Sequence, residues 1–347
     1  MKLGIGAVGF GPKVSIDLER IRFAEQLGYD SAWTAEAYGN DAVTTATWVL
    51  ANTTRIKVGT AIMQMPARTP AMAAMTAMTL DQLSGGRFVL GLGASGPQVV
   101  EGWHGVPYGP PLARTREYIA IIRQILAREK PLEFHGQVYD VPAAGAGTTG
   151  LGKPLKSILH GNPRIPIYVA SISPPGLRCA AECADGVFPM MMDPEKFDRS
   201  YLPYLNEGFA KAGGGKSLAS FAVVPGVSVI VTDDLEKGRA ALKGGMALYI
   251  GGMGAREKNF YNDLAKRLGF EEAAVRVQNL FLDGKKAEAA AAVPDALVDA
   301  VHLIGPKARI KDRLGAWKEA GKKGWVHTMN VGSPQREALE LLAEELL

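Results

Sequence analysis

Apolar positions along the chain switch period in a regular alternation. Residues 2–8, 31–34, 56–62, 88–92, 165–170, 187–190, 223–231 and 325–330 are short apolar runs of strand length. Between them lie segments with apolar residues at three- and four-residue spacing: 15–27, 42–51, 70–83, 113–127, 174–184, 197–212 and 335–346. In 15–27, Ile16, Ile21, Ala24 and Leu27 fall near that spacing, and Gly28 ends the helix. Eight strand-then-helix units predict an α/β protein built as a (β/α)8 TIM barrel. An open doubly wound sheet is the alternative. Gly91, Gly93 and Gly96 have the spacing of a dinucleotide loop, but Pro97 follows and the next clear helix starts at 113.

Two regions exceed ordinary loops. Residues 128–164 hold a hairpin over 132–141 and a Gly-rich run over 143–153. Residues 233–322 hold extra helices around Tyr249, over 260–268 and over 273–282. Both read as insertions in a single domain over 1–347. In the segment 70–83, Ala71, Met72, Ala73, Ala74, Met75, Ala77 and Met78 wrap nearly every side. Such a helix is normally buried, whereas the outer helices of a barrel are half exposed. It is therefore expected to pack against a second copy as a homodimer, or beneath an insertion of its own chain.

Composition narrows the class. An apolar content of 47% supports a large core, and a net charge of +4 from 39 basic and 35 acidic residues argues against nucleic acid or an anionic membrane as partner. No apolar run reaches the roughly 18 residues of a membrane span. The start of the chain reads as a strand and not as a signal peptide. Cys179 and Cys183, at i and i+4, read as small buried helix residues, with no disulfide framework, so a cytoplasmic location is expected.

The candidate chemistry sits after the strands. The third strand runs into Met63-Gln64-Met65-Pro66 and offers no acid, base, nucleophile or metal ligand. Glu36, after the second strand, could do acid–base work, bond a cofactor edge, cap the next helix or pair with a loop cation. His104 follows the fourth strand, on the functional side of a barrel, and is a second acid–base candidate. His327 lies on the eighth strand and could face the mouth; His135 and His160 fall in the first insertion. Ser171-Ile172-Ser173-Pro174-Pro175-Gly176-Leu177 joins a strand to a helix start. It could take an anion, or Ser173 could simply cap the helix. No nucleophile elbow, P-loop or metal motif is present, so the chemistry points to a bound organic cofactor.

Five segments carry a resemblance: Gly28-Tyr-Asp-Ser-Ala-Trp33, Arg55-Ile-Lys-Val-Gly59-Thr-Ala-Ile62, Leu83-Ser-Gly-Gly-Arg87-Phe-Val-Leu-Gly-Leu-Gly93, Ile165-Pro-Ile-Tyr-Val-Ala170 and Ala184-Asp-Gly186. The chain resembles the luciferase-like monooxygenase superfamily, in its branch of coenzyme F420-dependent oxidoreductases. The resemblance implies a non-proline cis peptide at Ala61-Ile62 whose backbone supports the deazaflavin ring. It further implies that Ala94, Ser95 and Gln98 border the ring and ribityl chain. The phosphate then falls to Ser171, Ile172, Ser173, Gly176 and Leu177. Ala35 and Glu36 stand where many relatives carry a polar pair near the reactive carbon. Gly96 stands where sugar-phosphate dehydrogenases of the family carry a catalytic Glu, so that activity is not expected. The function implied is hydride transfer between F420 and a mainly apolar small molecule, by reducing C=C, C=O or C=N or by oxidising an alcohol. Met63, Met65, Trp103 and residues 143–160 are expected to form the pocket and lid. The alternatives are an FMN-dependent monooxygenase using molecular oxygen and a non-catalytic flavin-binding protein.

Overall fold

A computed structural model describes residues 1–9, 11–333 and 335–347. Eight parallel strands make the ring: β1 (Lys2–Gly6), β2 (Ser31–Thr34), β3 (Lys57–Thr60), β4 (Phe88–Gly93), β5 (Ile167–Ala170), β6 (Gly186–Phe188), β7 (Gly226–Val231) and β8 (Thr328–Gly332). Each of the first five pairs with the next, and β8 pairs with β1 and β7. The curled sheet meets itself through one broken strand. Ala222–Val223 pairs with β6, passes through Val224 and Pro225, and becomes β7. Val224 N donates to Val187 O and Asn330 N donates to Pro225 O, both at 2.9 Å, so the seam is hydrogen-bonded on both sides. The break falls at the residue that cannot donate to a ladder. This closure rules out the open doubly wound sheet.

Helices α1 (Leu18–Leu27), α2 (Ala42–Ala51), α3 (Pro70–Leu83), α4 (Pro97–Gly102), α5 (Pro111–Ala127) and α6 (Pro174–Cys183) follow the first five strands. Local signals set their limits. Asp17, Asp41, Thr69 and Ser173 cap the N-termini of α1, α2, α3 and α6 through side-chain oxygens, and Gly28 closes α1 in the left-handed region. Three differences from expectation stand out. The helix after β4 begins at once, at Pro97, and not at 113. Leu303–Gly305 adds a further parallel strand to the outer side of β7. It leads into the helix Lys307–Lys322, which buries Ile310, Leu314 and Trp317.

Alternate residues of a barrel strand point inward. Here the inner face carries three large rings and many glycines. Trp33 meets Phe188 edge-on at 5.0 Å and lies 6.0 Å from Tyr168, and Tyr168 meets Phe188 at 5.7 Å. Gly59 makes this possible, because a Cβ there would lie 2.4 Å from the Trp33 ring. Gly91 is tighter still: a Cβ would lie 1.7 Å from Thr60 O and 2.9 Å from Phe188. The aromatic rings fill the space that the glycines leave.

α3 is half-buried. Ala73, Ala74, Ala77 and Met78 are fully covered, while Met72 and Met75 remain 51% and 52% exposed. Within one copy the helix is thus covered on one face and open on the other. Residues 128–164 connect the end of α5 to β5. The turn at 137–139 returns to the start of α5, where Gln137 N, Val138 N and Tyr139 N donate to Glu117 at 2.7, 2.9 and 2.9 Å. Residues 157–160 lie against the ends of the outer helices: Gln82 Nε2 donates to His160 O (2.9 Å) and Arg128 Nε to Ser157 O (2.7 Å).

Gly91→Ala should lower stability by about 2 kcal/mol or more, since backbone must move to admit a methyl group. Gly6→Ala, whose Cβ would meet nothing within 4 Å, should cost less than about 1 kcal/mol. Denaturant midpoints of the two variants decide it.

Candidate active site

After β3 the chain steps aside. Ala61 N donates to Thr34 O (2.5 Å) and Glu36 N donates to Ile62 O (3.2 Å), so the segment is pinned to the end of β2. Met63–Gln64 then pairs with Leu92 and Gly93 of β4. The Ala61-Ile62 peptide is cis, as the resemblance implies. Both residues are partly buried and pack against the cluster of Trp33, Val89 and Phe188. Gly93 leaves the space Ile62 uses, for a Cβ there would lie 2.7 Å from Ile62 Cδ1. Met63 and Met65 are fully buried in the main core, so they do not line a pocket as expected.

Beyond β4, Ala94, Ser95 and Gly96 are partly buried and Gln98 is exposed at the start of α4. Ser95 holds φ at 60°, a region non-glycine residues seldom occupy, and this turns the chain sharply at the strand end. Trp103 is 66% exposed. His104 is different: its Nε2 is buried and finds no hydrogen-bond partner among the described residues.

Ala35 is partly buried, and Asn40 Nδ2 donates to its carbonyl (2.7 Å). The Glu36 side chain is only 7% exposed and both oxygens are engaged. Oε1 accepts from Gln64 N and from Arg68 Nη1, each at 2.7 Å, and Oε2 accepts from Ala42 N at 3.0 Å. Arg68 also pairs with Asp41, the N-cap of α2. Of the roles open to Glu36, helix capping and cation pairing are the two the geometry displays.

The turn after β5 gathers its hydroxyls around Gly176. A Cβ on Gly176 would lie 2.1 Å from Ser171 Oγ and 2.9 Å from Ser173 Oγ. Ser173 Oγ accepts from Gly176 N (3.2 Å), so it caps α6; Ile172 and Leu177 are buried behind the turn. Arg267 reaches the same turn and donates to Ile172 O (2.6 Å). Nothing in the sequence around Arg267 signals this contact, which depends on how the β7–β8 segment docks.

That segment also bears on the end of β2. Tyr249 stacks edge-on with Tyr261 at 4.8 Å, and burial, then the nearby Tyr38 hydroxyl, pushes Tyr249 above the usual tyrosine range. Tyr249 belongs to a π-helical turn, Leu248–Gly252. Asn259 and Asn262 donate to Ile250 O at 3.0 and 3.1 Å and hold that turn.

The remaining histidines lie elsewhere. His327 precedes β8 at the strand's N-terminal end, beside Lys2, Asp30 and Lys57, and so does not face the mouth. His135 pairs with Asp140 in the exposed hairpin. His302 accepts from Ser228 N (3.1 Å), and burial pushes it down to about 4. Among the described residues no group of acids, histidines and cysteines could hold a metal ion. Surface hollows of about 370 and 460 Å³ lie at Asn206–Ser217 and around Lys243–Asp295, away from the strand ends.

Residues 12–323 match the luciferase-like monooxygenase family. The chain belongs to that family. It is 43% identical over 345 residues, 99% of both chains, to a Mycobacterium tuberculosis protein provisionally named a coenzyme F420-dependent oxidoreductase. It is 29% identical to the 5,10-methylenetetrahydromethanopterin reductase of Archaeoglobus fulgidus, covering 94% of this chain and 93% of the other. The solved coenzyme F420-dependent tetrahydromethanopterin reductase of Methanopyrus kandleri aligns with a TM-score of 0.77 at 25% identity, covering 99% and 97%.

Glu36→Gln should cost about 2 kcal/mol, because it removes a buried charge facing Arg68 and leaves Asp41 as the remaining partner. An unfolding midpoint equal to the parent's would contradict the bracing geometry.

Proposed function

We propose that the protein transfers hydride between coenzyme F420 and a mainly apolar small molecule, at the C-terminal mouth of the barrel. The observation that carries this reading is a strand end without reactive side chains, Ala61-Ile62, flanked on one side by a turn rich in hydroxyls. A mouth of this kind supplies surface and donors and leaves the chemistry to a bound ring. The residues fit such a group: Gly93 lets Ile62 lie flat over β4, and Gly176 lets two serine hydroxyls converge. Bound there, the deazaflavin supplies the hydride chemistry.

The residues of the chain then have distinct tasks. Ala61 and Ile62 offer an apolar face to the ring. Ala94, Ser95 and Gln98 border its edge and ribityl chain. Ser171, Ile172, Ser173, Gly176 and Leu177 take the phosphate. Ala35 and Glu36 bound the ring on the β2 side, with Glu36 as a brace. His104, whose Nε2 is buried without a partner, is assigned proton transfer to or from the substrate. Trp103, Tyr38 and the segment around Tyr249 give the mouth an apolar, aromatic surround and favour an apolar substrate.

A second copy is assigned to the exposed side of α3, where Met72 and Met75 are each half exposed on the same helix. Two free thiols, Cys179 and Cys183, suit the cytoplasm, and among the described residues no helix is long and apolar enough to cross a membrane.

Separate titrations with F420 and FMN, followed by a panel of enones, imines, ketones and secondary alcohols, test the function. F420 should bind more tightly, and at least one class should turn over. His104→Gln should lower turnover about 100-fold with F420 affinity unchanged. Tighter FMN binding with oxygen consumption supports a monooxygenase instead; no turnover at all supports a carrier. Light scattering on the same protein should give twice the 36.9 kDa chain mass, falling to one chain in Met72→Lys/Met75→Lys. A monomeric parent rejects the dimer.

A further inference from the structure

The phosphate turn lacks donors that a helix start usually offers. Pro174 and Pro175 occupy the first two positions of α6 and carry no N–H. Gly176 N already donates to Ser173 Oγ (3.2 Å) and Leu177 N to Ser173 O (2.8 Å). The helix dipole, the Ser171 and Ser173 hydroxyls and the backbone N–H groups of Ile172 and Ser173 remain, none of them a full charge. A phosphate diester carries a full charge, so the turn as built from β5 and α6 is weak for such a ligand.

One cation reaches it. Arg267 is the last residue of the helix Phe260–Arg267, in the segment between β7 and β8. Its Nη2 is fixed on Ile172 O at 2.6 Å, between the two serines. Its Nε is buried and has no partner among the described residues. The neighbouring Lys196 donates to Leu268 O (2.7 Å) and pairs with Asp193 (3.5 Å), so the acid on that side is already matched to another cation. A buried, unbonded guanidinium N–H is costly unless a ligand completes it. The guanidinium fork is suited to phosphate oxygens.

We infer that Arg267 completes the phosphate site of the cofactor from the β7–β8 segment, and that this contact selects phosphate-bearing cofactors over their phosphate-free ribityl forms. The inference rests on the cofactor reading given above. It makes one segment serve both ends of the mouth: Tyr249 beside Tyr38 after β2, and Arg267 beside Ile172 after β5. It also assigns the selection to a residue outside the strand–turn–helix unit that holds the serines.

The test is a fluorescence titration of the full-length protein, as parent, Arg267→Gln and Arg267→Lys, with F420 and with the ribityl deazaflavin that lacks the phosphate. Arg267→Gln should weaken F420 by about 10- to 100-fold and leave the phosphate-free form within about twofold, as expected for loss of a charge-assisted contact. Arg267→Lys should fall between the two, and it carries the test should the Gln variant not fold. Unchanged F420 affinity overturns the inference. Equal weakening of F420 and the phosphate-free form also overturns it, because Arg267 would then serve only to hold the turn. Should the parent bind FMN and not F420, the F420 reading fails separately, and the same comparison of FMN with riboflavin decides Arg267. A parent that binds neither overturns both.

Discussion

A single carboxylate ties together the elements around the mouth. Glu36 leaves the end of β2, accepts from the first turn of α2 at Ala42 N, and accepts from Gln64 N just beyond the detour after β3. It also holds Arg68, whose carbonyl accepts from the Tyr118 hydroxyl of α5 at 3.1 Å. The end of β2, the start of α2 and the chain beyond β3 therefore meet at one side chain that is almost fully covered, and α5 is joined to them through Arg68. The position of Ala61-Ile62 follows from these bonds together with two backbone bonds to the β2 end. A charge buried this way is stable only while its partners stay in place. The same linkage makes the segment a fixed surface.

The barrel below sets the level of that surface. Trp33, Tyr168 and Phe188 fill the interior up to the strand ends, and glycines opposite them remove every competing Cβ. Their rings lie beneath Ala61 and Ile62 in one apolar cluster. A planar cofactor placed over the cluster would rest on close-packed apolar residues and exclude water from one face. Specificity then has to come from the periphery, where the serine turn, Arg267 and the tyrosines of the β7–β8 segment are found.

The strand order, the closed barrel and the limits of most helices were legible because they rest on local signals: apolar period, N-caps such as Asp41 and Ser173, and proline at helix starts. Leu303–Gly305 is not legible, because three residues before a proline make a weak strand signal. The core position of Met63 and Met65 is not legible, because an apolar residue near a strand end looks the same in sequence whether it points into the core or out of it. Glu36 was legible as a residue of importance, but its role depended on Arg68, thirty-two positions away. Arg267 left no sequence signal at all, since its contact with Ile172 spans ninety-five positions.

The central claim is that a backbone step at Ala61-Ile62 serves as the seat of a deazaflavin ring. A crystal structure of the protein with F420 bound tests it most directly. The account predicts one ring face in van der Waals contact with Ala61 and Ile62, with the phosphate oxygens within hydrogen-bond distance of Ser171 or Ser173. A ring bound in the hollow beside Lys216, or at the mouth with its phosphate turned away from α6, would contradict it.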